Sequence, residues 1–162
     1  MKRWGTIVLA ACLVAMGCGD DNGTGPSNAP MVFVADLSPT NEVPPIVNSE
    51  SSGRGNAQIT IDGTTVTFFF QLTGFPSDSR VTGAHIHNAG PGVNAGIVVN
   101  TGLSAASPLI LSNPISEYRA TGIAIDASLA QAIAANPLGF YFNVHSPLNP
   151  GGFARGQLRR IQ

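Results

Sequence analysis

Charged side chains are scarce in this chain of 162 residues, of which lysine, arginine, aspartate and glutamate together make up 10%. An average soluble protein carries about 25%. The formal net charge is −1, and the sequence contains no basic stripe of the kind that binds nucleic acid. We therefore expect no nucleic-acid partner.

The chain also has few cysteines and no apolar run of transmembrane length. Its two cysteines, Cys12 and Cys18, both lie near the N-terminus, so the remainder has neither a thiol nor a disulfide and must depend on packing for its stability. The apolar run from Ile7 to Met16 is shorter than the roughly 20 residues that a spanning helix needs.

This N-terminal segment has the order of a targeting signal, with Lys2 and Arg3 followed by the apolar run and by small residues. The stretch "LVAMGC" resembles a bacterial lipobox. The resemblance implies that residues 1–17 are a lipoprotein signal peptide and that Cys18 is lipidated. The alternative is ordinary signal-peptidase cleavage. Residues 18–30 are rich in Gly, Asp, Asn and Pro and predict a flexible tether after the lipid.

Common catalytic motifs are missing as well. The glycines form no G-x-G-x-x-G after a strand, and no G-x-S-x-G occurs. Ser146 follows His145, but neighbouring residues of a strand point to opposite faces. Acidic residues are few and spread thinly, which argues against a paired-carboxylate site. Arg155 is expected to form a structural ion pair with Glu42 or Glu117.

Glycine, proline and β-branched residues are abundant, a mixture that favours short strands joined by turns. The segment "GNAQITIDGTTVTFFFQLTG" predicts a β-hairpin about Asp62-Gly63, a dipeptide favoured in tight turns. Alternation in this hairpin places one set of apolar side chains toward the core. The set consists of Ile59, Ile61, Phe68, Phe70 and Leu72.

Further short strands are predicted in "MVFVADL", "RVTGAHIHNAG", "AGIVVN", "SPLILS", "EYRATGIAI", "GFYFNVHS" and "ARGQLRRIQ". One segment has helical character, "DASLAQAIAANP", with Asp126 as N-cap and Asn136-Pro137 as stop. The pattern predicts an all-β fold, an antiparallel Greek-key-like β-sandwich or flattened barrel with one short helix near the C-terminal end. We assign residues 31–162 to this single domain.

The three histidines are the residues best suited to chemistry. His85 and His87 are two apart on one predicted strand, so both imidazoles emerge on the same face. His145 ends another strand and shares its face with Tyr141 and Asn143. If the strands meet, three imidazoles would suit zinc, copper or nickel better than calcium or magnesium. The alternative is that the imidazoles hydrogen-bond backbone groups and pin the long loops to the sandwich.

Four motifs occur in a fixed order: "LSPTNEVPP", "GRGNAQITIDGTTVTFFFQLTGF", "GAHIHNAGPGVNAGIVV" and "LGFYFNVHSPLNPGGFARGQL". Together they resemble the CHRD domain, the module named after chordin and widespread in bacterial secreted proteins. The resemblance runs from about Phe33 to Leu158. One departure is Phe153-Ala154, where the family has an acidic and an aliphatic residue. The H-x-H motif is also similar to that of copper/zinc superoxide dismutases, but three histidines are too few for their dinuclear site.

Two functions follow as hypotheses. In the first, the protein is an envelope-anchored extracytoplasmic CHRD-domain lipoprotein that acts as a non-enzymatic binding or structural module, with the membrane as partner through Cys18. In the second, it binds one copper or zinc ion through His85, His87 and His145. A hydrolase with an unrecognised site is a weaker third interpretation.

Overall fold

Two antiparallel sheets pack face to face in the computed structural model of the protein, which describes residues 29–112 and 114–162. The predictions for the signal peptide, for Cys18 and for nearly all of the tether lie outside the described residues. The strands are β1 (Met31–Leu37), β2 (Arg54–Asp62), β3 (Thr65–Thr73), β4 (Arg80–Val81), β5 (Gly83–His87), β6 (Ile97–Asn100), β7 (Leu109–Ile110), β8 (Ile115–Ala124), β9 (Tyr141–His145), β10 (Ala154–Gln157) and β11 (Arg159–Arg160).

The first sheet has the strand order β11-β1-β2-β3-β8, and the second has the order β10-β9-β5-β6. A small third sheet pairs β4 with β7. Strands distant in the chain are neighbours, as in β3 beside β8 and β5 beside β9, which is the crossing connectivity of Greek-key folds. Within the described ranges the sheets do not close into a barrel, so the predicted all-β sandwich is the architecture observed.

The predicted hairpin is confirmed, with its turn displaced by one residue. Asp62 pairs with Thr65, which leaves Gly63 and Thr64 as the two-residue loop. Gly63 has a φ of 58°. A positive φ at the first loop position fits a type II′ turn, which glycine adopts without strain.

The core lies between the inner faces of the two sheets. The five hairpin residues predicted to be buried are all at most 2% exposed. Phe142 of the second sheet meets them, with ring-centre distances of 5.8 Å to Phe68 and 5.6 Å to Phe70. Phe153, where the sequence departs from the CHRD pattern, is also fully buried and packs edge-on against Phe75 at 4.9 Å.

The single α-helix of the described part, α1 (Ala127–Ala135), begins and ends where the sequence predicts, with Asp126 as N-cap and Asn136 as C-cap. The backbone of Asp126 has the extended conformation of an N-cap residue, but its side chain makes no capping hydrogen bond. Ala130 and Ile133 face the core. Among the described residues, no helix combines the length and the apolarity needed to cross a membrane.

Two predicted strands are interrupted. "RVTGAHIHNAG" divides at Thr82 into β4 and β5, since Thr82 donates its N–H to the His145 carbonyl (2.8 Å) while β4 turns away to pair with β7. "ARGQLRRIQ" divides at Leu158, where the chain passes from the second sheet to the first. The fully buried Leu158 side chain fills this crossing point. Periodicity alone does not reveal such changes of sheet, because both halves keep strand character.

All five residues of β5 are buried. This departs from the alternation expected of a strand with one solvated face, because loops cover the outer face of the second sheet. We call this cover the loop layer, and it consists of residues 38–52, 88–96 and 146–152. Arg155 on β10 holds two of these loops, since it donates from Nε to the Asn41 carbonyl (2.6 Å) and from Nη1 to Asn94 Oδ1 (2.8 Å).

Candidate metal centre

The register of β5 against β9 brings the three histidines together. Gly83 lies opposite His145 and His87 lies opposite Tyr141. Ile86, between His85 and His87, points into the core. The prediction that His85 and His87 share one face is therefore confirmed, and His145 lies on that same face.

The three rings are in close contact. Ring-centre distances are 4.8 Å for His85–His145, 5.6 Å for His87–His145 and 5.8 Å for His85–His87. One ring nitrogen of each residue lies within 4.8 Å of those of the other two. In a tetrahedral site with bonds of about 2.0–2.1 Å, nitrogens are about 3.4 Å apart. Ring movements of about 1 Å would therefore place all three nitrogens around one ion.

Gly83 makes room for this arrangement. A Cβ atom at Gly83 would lie 2.8 Å from His85 Cε1, well inside van der Waals contact. The residue opposite His145 must therefore lack a side chain for the His85 ring to occupy its place. No local sequence pattern marks Gly83 as part of the site, because the requirement arises from the pairing of two distant strands.

Hydrogen bonds to the loop layer fix the tautomers of two rings. His87 Nδ1 lies 2.9 Å from the Ala95 carbonyl, and His145 Nδ1 lies 3.1 Å from the Pro150 carbonyl. A carbonyl oxygen only accepts, so both Nδ1 atoms carry the hydrogen. The lone pair of each neutral ring is therefore on Nε2, and the loop-pinning interpretation of the histidines is confirmed for one nitrogen of each ring.

The other nitrogens have no protein partner. His85 Nδ1, His87 Nε2 and His145 Nε2 are all buried without a hydrogen bond. Buried polar atoms in native proteins are nearly always satisfied. Among the described residues six buried side-chain atoms lack a partner, and three of these belong to the clustered imidazoles, the others being Glu42 Oε1, Asn143 Oδ1 and Arg155 Nη2. The lone pairs on Nε2 of His87 and His145 are therefore available to an ion.

The electrostatic environment keeps the three imidazoles neutral. Burial, with smaller contributions from the neighbouring His145 and His87, lowers the pKa of His85 to about 4. Burial also lowers the pKa of His87 and of His145, against the opposing effect of their hydrogen bonds to Ala95 and Pro150. Neutral imidazole is the form that binds metals.

Arg155 and Tyr141 form a stack beside the centre. The Tyr141 ring lies parallel to that of His87, with an interplanar angle of 5° and a centre distance of 4.8 Å. The Arg155 guanidinium carbon is 4.7 Å from the centre of the Tyr141 ring. The positive charge of Arg155 contributes to the lowered pKa of His87. The sequence placed Tyr141 on the face of His145 but gave no sign of this stack.

Glu42, one of the two predicted partners, is the acid that pairs with Arg155. Its Oε2 lies 3.9 Å from Arg155 Nε, and both side chains are almost fully buried. Burial raises the pKa of Glu42 to about 7, although Arg155 and Asn143 act in the opposite direction. Glu117, the other predicted partner, instead accepts a hydrogen bond from Gln71.

A second buried acid, Glu50, secures the loop that carries Pro150. Its carboxylate accepts hydrogen bonds from Ser146 Oγ and Asn149 Nδ2, both at 2.6 Å. Ser146 Oγ in turn accepts from the Asn149 N–H at 3.0 Å. Ser146 thus has a structural role. Nothing in the local sequence of Glu50 distinguishes it from a surface acid, so the sequence alone does not predict this role.

The pKa of His85 predicts an acid-dependent loss of stability in the metal-free protein. An unfolded histidine titrates near 6.5, so the contribution of neutral His85 is complete above pH 6.5 and is lost as the pH falls towards 4. Glu42 acts oppositely, because its raised pKa favours folding as the pH falls below 7. Because Glu42 is present in both proteins, its effect cancels when the stability of wild type is compared with that of His85→Gln at each pH. Urea unfolding from pH 7 to pH 4 should show wild type losing about 2–3 kcal/mol relative to this variant. Equal pH profiles for the two proteins would contradict the assignment.

Fold and site together define a class, an all-β sandwich with a buried cluster of three neutral histidines beneath a loop layer. The family model of the CHRD domain matches residues 33–158. The chain therefore belongs to the CHRD domain family, and the resemblance noted in its four motifs is confirmed. No curated protein gives a significant match to the chain.

Membership in this family assigns a general role. CHRD domains are extracellular-type domains, so the chain is an extracellular binding or structural module. This agrees with the extracytoplasmic location expected from the sequence. The three-histidine cluster is present as predicted, and its binding of an ion remains a prediction.

Proposed function

We propose that this protein is an envelope-anchored extracytoplasmic module that holds one copper or zinc ion between His85, His87 and His145. The observation that carries the proposal is the cluster of three imidazoles, each with one buried nitrogen without a partner, whose ligand atoms lie within 4.8 Å of one another. Imidazole nitrogen is a ligand that copper and zinc share. The function proposed is binding, with no catalytic step.

Loop pinning by itself does not account for the cluster. It uses Nδ1 of His87 and Nδ1 of His145, and it leaves the opposite nitrogen of each ring buried and unpaired. Each unpaired buried polar atom costs about 1–3 kcal/mol. A hydrogen bond from metal-ligating histidine to a backbone carbonyl is also the usual way in which proteins orient such a ligand. The two interpretations of the histidines are thus parts of one arrangement.

Metal analysis of protein purified without a histidine tag tests the proposal. We expect about one copper or zinc ion per chain after loading and desalting, and close to none for His85→Ala or His145→Ala. Gln58→Ala, an exposed position on the outer face of the first sheet, is the matched control and should retain the ion. Substoichiometric metal that neither histidine substitution changes would refute the metal site. Loss of thermal stability in both variants, with no metal bound to wild type, would leave loop pinning as the role of the histidines.

We also propose that Cys18 carries a lipid that holds the module at the membrane. Support comes from the lipobox-like "LVAMGC" and from the polar residues 19–30, which precede β1 at Met31. Membrane and soluble fractions of cells that express wild type or Cys18→Ser provide the test. Wild type should sediment with membranes and Cys18→Ser should not. A Cys18→Ser protein that stays in the membrane fraction would show that the anchor lies elsewhere.

A further inference from the structure

We infer that the centre selects monovalent copper, Cu(I), over the divalent ions Cu(II) and Zn(II). The inference rests on the metal site proposed above and names the ion that this site prefers. Three features support it: the number of ligands, the closure of the site to solvent, and the balance of charge around it.

The first feature is the number of ligands. In the described ranges, His85, His87 and His145 are the one group of three or more histidine, cysteine or acidic residues whose ligand atoms converge. Zinc is almost always four-coordinate in proteins, and Cu(II) favours square-planar or tetragonal arrangements. Cu(I), with a filled d shell, is stable with three ligands in a plane. A set of three imidazoles therefore completes the coordination of Cu(I) and leaves the divalent ions short of a ligand.

The second feature is closure to solvent. A divalent ion on three histidines ordinarily completes its shell with water. Here the three unpartnered nitrogens have almost no solvent-accessible surface. His85 and His87 are at most 9% exposed, and the His145 residue is half-buried with its Nε2 enclosed. A bare ion is smaller than a water molecule, so the position between the nitrogens suits an ion without a water ligand.

The third feature is the charge. All three ligands are neutral, and none of the acids of the described chain belongs to the converging group. The cost of transferring an ion from water to a medium of low dielectric constant grows with the square of its charge, so a divalent ion costs about four times as much as a monovalent one of equal radius. Glu42, the acid beside Arg155, does not offset this cost, because it is already paired with the guanidinium.

Arg155 contributes to the site through its position. Its guanidinium lies over Tyr141, and the Tyr141 ring stacks on His87. Because the charge of Arg155 is paired with that of Glu42, its contribution is to position the stack. The stack holds the His87 ring plane in place, which limits rearrangement toward a four-coordinate geometry.

Competition titrations of untagged, metal-free protein test this inference. Cu(I) is titrated under nitrogen against a chromogenic Cu(I) chelator, and Cu(II) and Zn(II) are titrated against chelators of their own. We expect the dissociation constant for Cu(I) to be smaller than those for Cu(II) and Zn(II). Divalent binding as tight as Cu(I) binding would overturn the selectivity and leave the metal site standing. No binding of any of the three ions would overturn both proposals.

His145→Asp supplies a second, independent measure. It replaces one neutral ligand with a carboxylate, which adds a negative charge suited to a divalent ion. The ratio of Zn(II) to Cu(I) affinity should rise relative to wild type, because a carboxylate favours the divalent ion. A thermal melt of the metal-free variant shows whether it is folded, and Gln58→Ala should keep the wild-type ratio. An unchanged ratio in folded His145→Asp would contradict the charge argument.

Discussion

Saturation with the preferred ion should raise the free energy of unfolding by about 4 kcal/mol when the free ion is held at about 1,000 times its dissociation constant. The physical reason is that the ligands come from two strands distant in the chain, β5 and β9, and these strands are aligned only in the folded state. Unfolded chain retains the local pair His85 and His87, which binds far more weakly than three converging nitrogens. Calorimetry with and without the ion should show an increase of roughly 10 °C in the melting temperature.

His145→Asn provides the decisive control for this stabilisation. The asparagine Nδ2 lies where His145 Nδ1 lies, so it can still donate to the Pro150 carbonyl and preserves the loop contact while removing the third imidazole. The metal-free variant should melt close to wild type and gain at most a degree or two from the ion. Gln58→Ala should gain as much as wild type. A full gain in His145→Asn would show that the ion binds elsewhere.

Replacement of Phe142 by alanine should lower the free energy of unfolding by about 3–5 kcal/mol, the usual cost of removing a fully buried phenylalanine. Phe142 has no exposed surface and contacts Phe68 and Phe70 of the opposite sheet. It belongs to the same strand as His145 but points to the opposite face. The variant therefore tests how much the packing between the two sheets contributes to the stability of the fold that carries the histidines on the outer face of the second sheet.

Phe69→Ala is the matched control, since Phe69 is a phenylalanine on β3 that points away from the core and is only partly buried. Its loss should cost about 1 kcal/mol, because less apolar surface returns to water and no cavity forms. Urea denaturation of both variants measures the difference. Comparable losses in the two would mean that the space between the sheets is not the main core.

Local patterns specified much of the fold. Alternation in the segments around Ile59 and Phe68 identified a strand pair and its buried face, since a one-residue shift would expose the whole apolar set. The helix limits at Asp126 and Asn136 followed from the preference of aspartate for the N-cap position and from the proline stop, although the Asp126 side chain makes no capping hydrogen bond. These features depend on contacts between residues close in the chain, so sequence alone is sufficient for them.

The three histidines of the site could also be predicted from the sequence, but their contacts with distant segments could not. The spacing of His85 and His87 fixed their common face, and the face of His145 followed from its strand. Glu50, Gly83 and the Ala95 carbonyl carried no local signal. Each of them acts only through a segment distant in the chain, so their roles depend on how the strands and loops assemble.

Sequence by itself determined that this chain is an all-β domain of the CHRD family, with three histidines at the ends of two strands and a lipobox-like N-terminus. The tertiary structure decided that β5 lies beside β9, that loops cover the outer face of the second sheet, and that one nitrogen of each imidazole is left buried without a partner. The reason is physical: strand propensity is a local property, whereas strand pairing and burial arise from the simultaneous packing of distant segments.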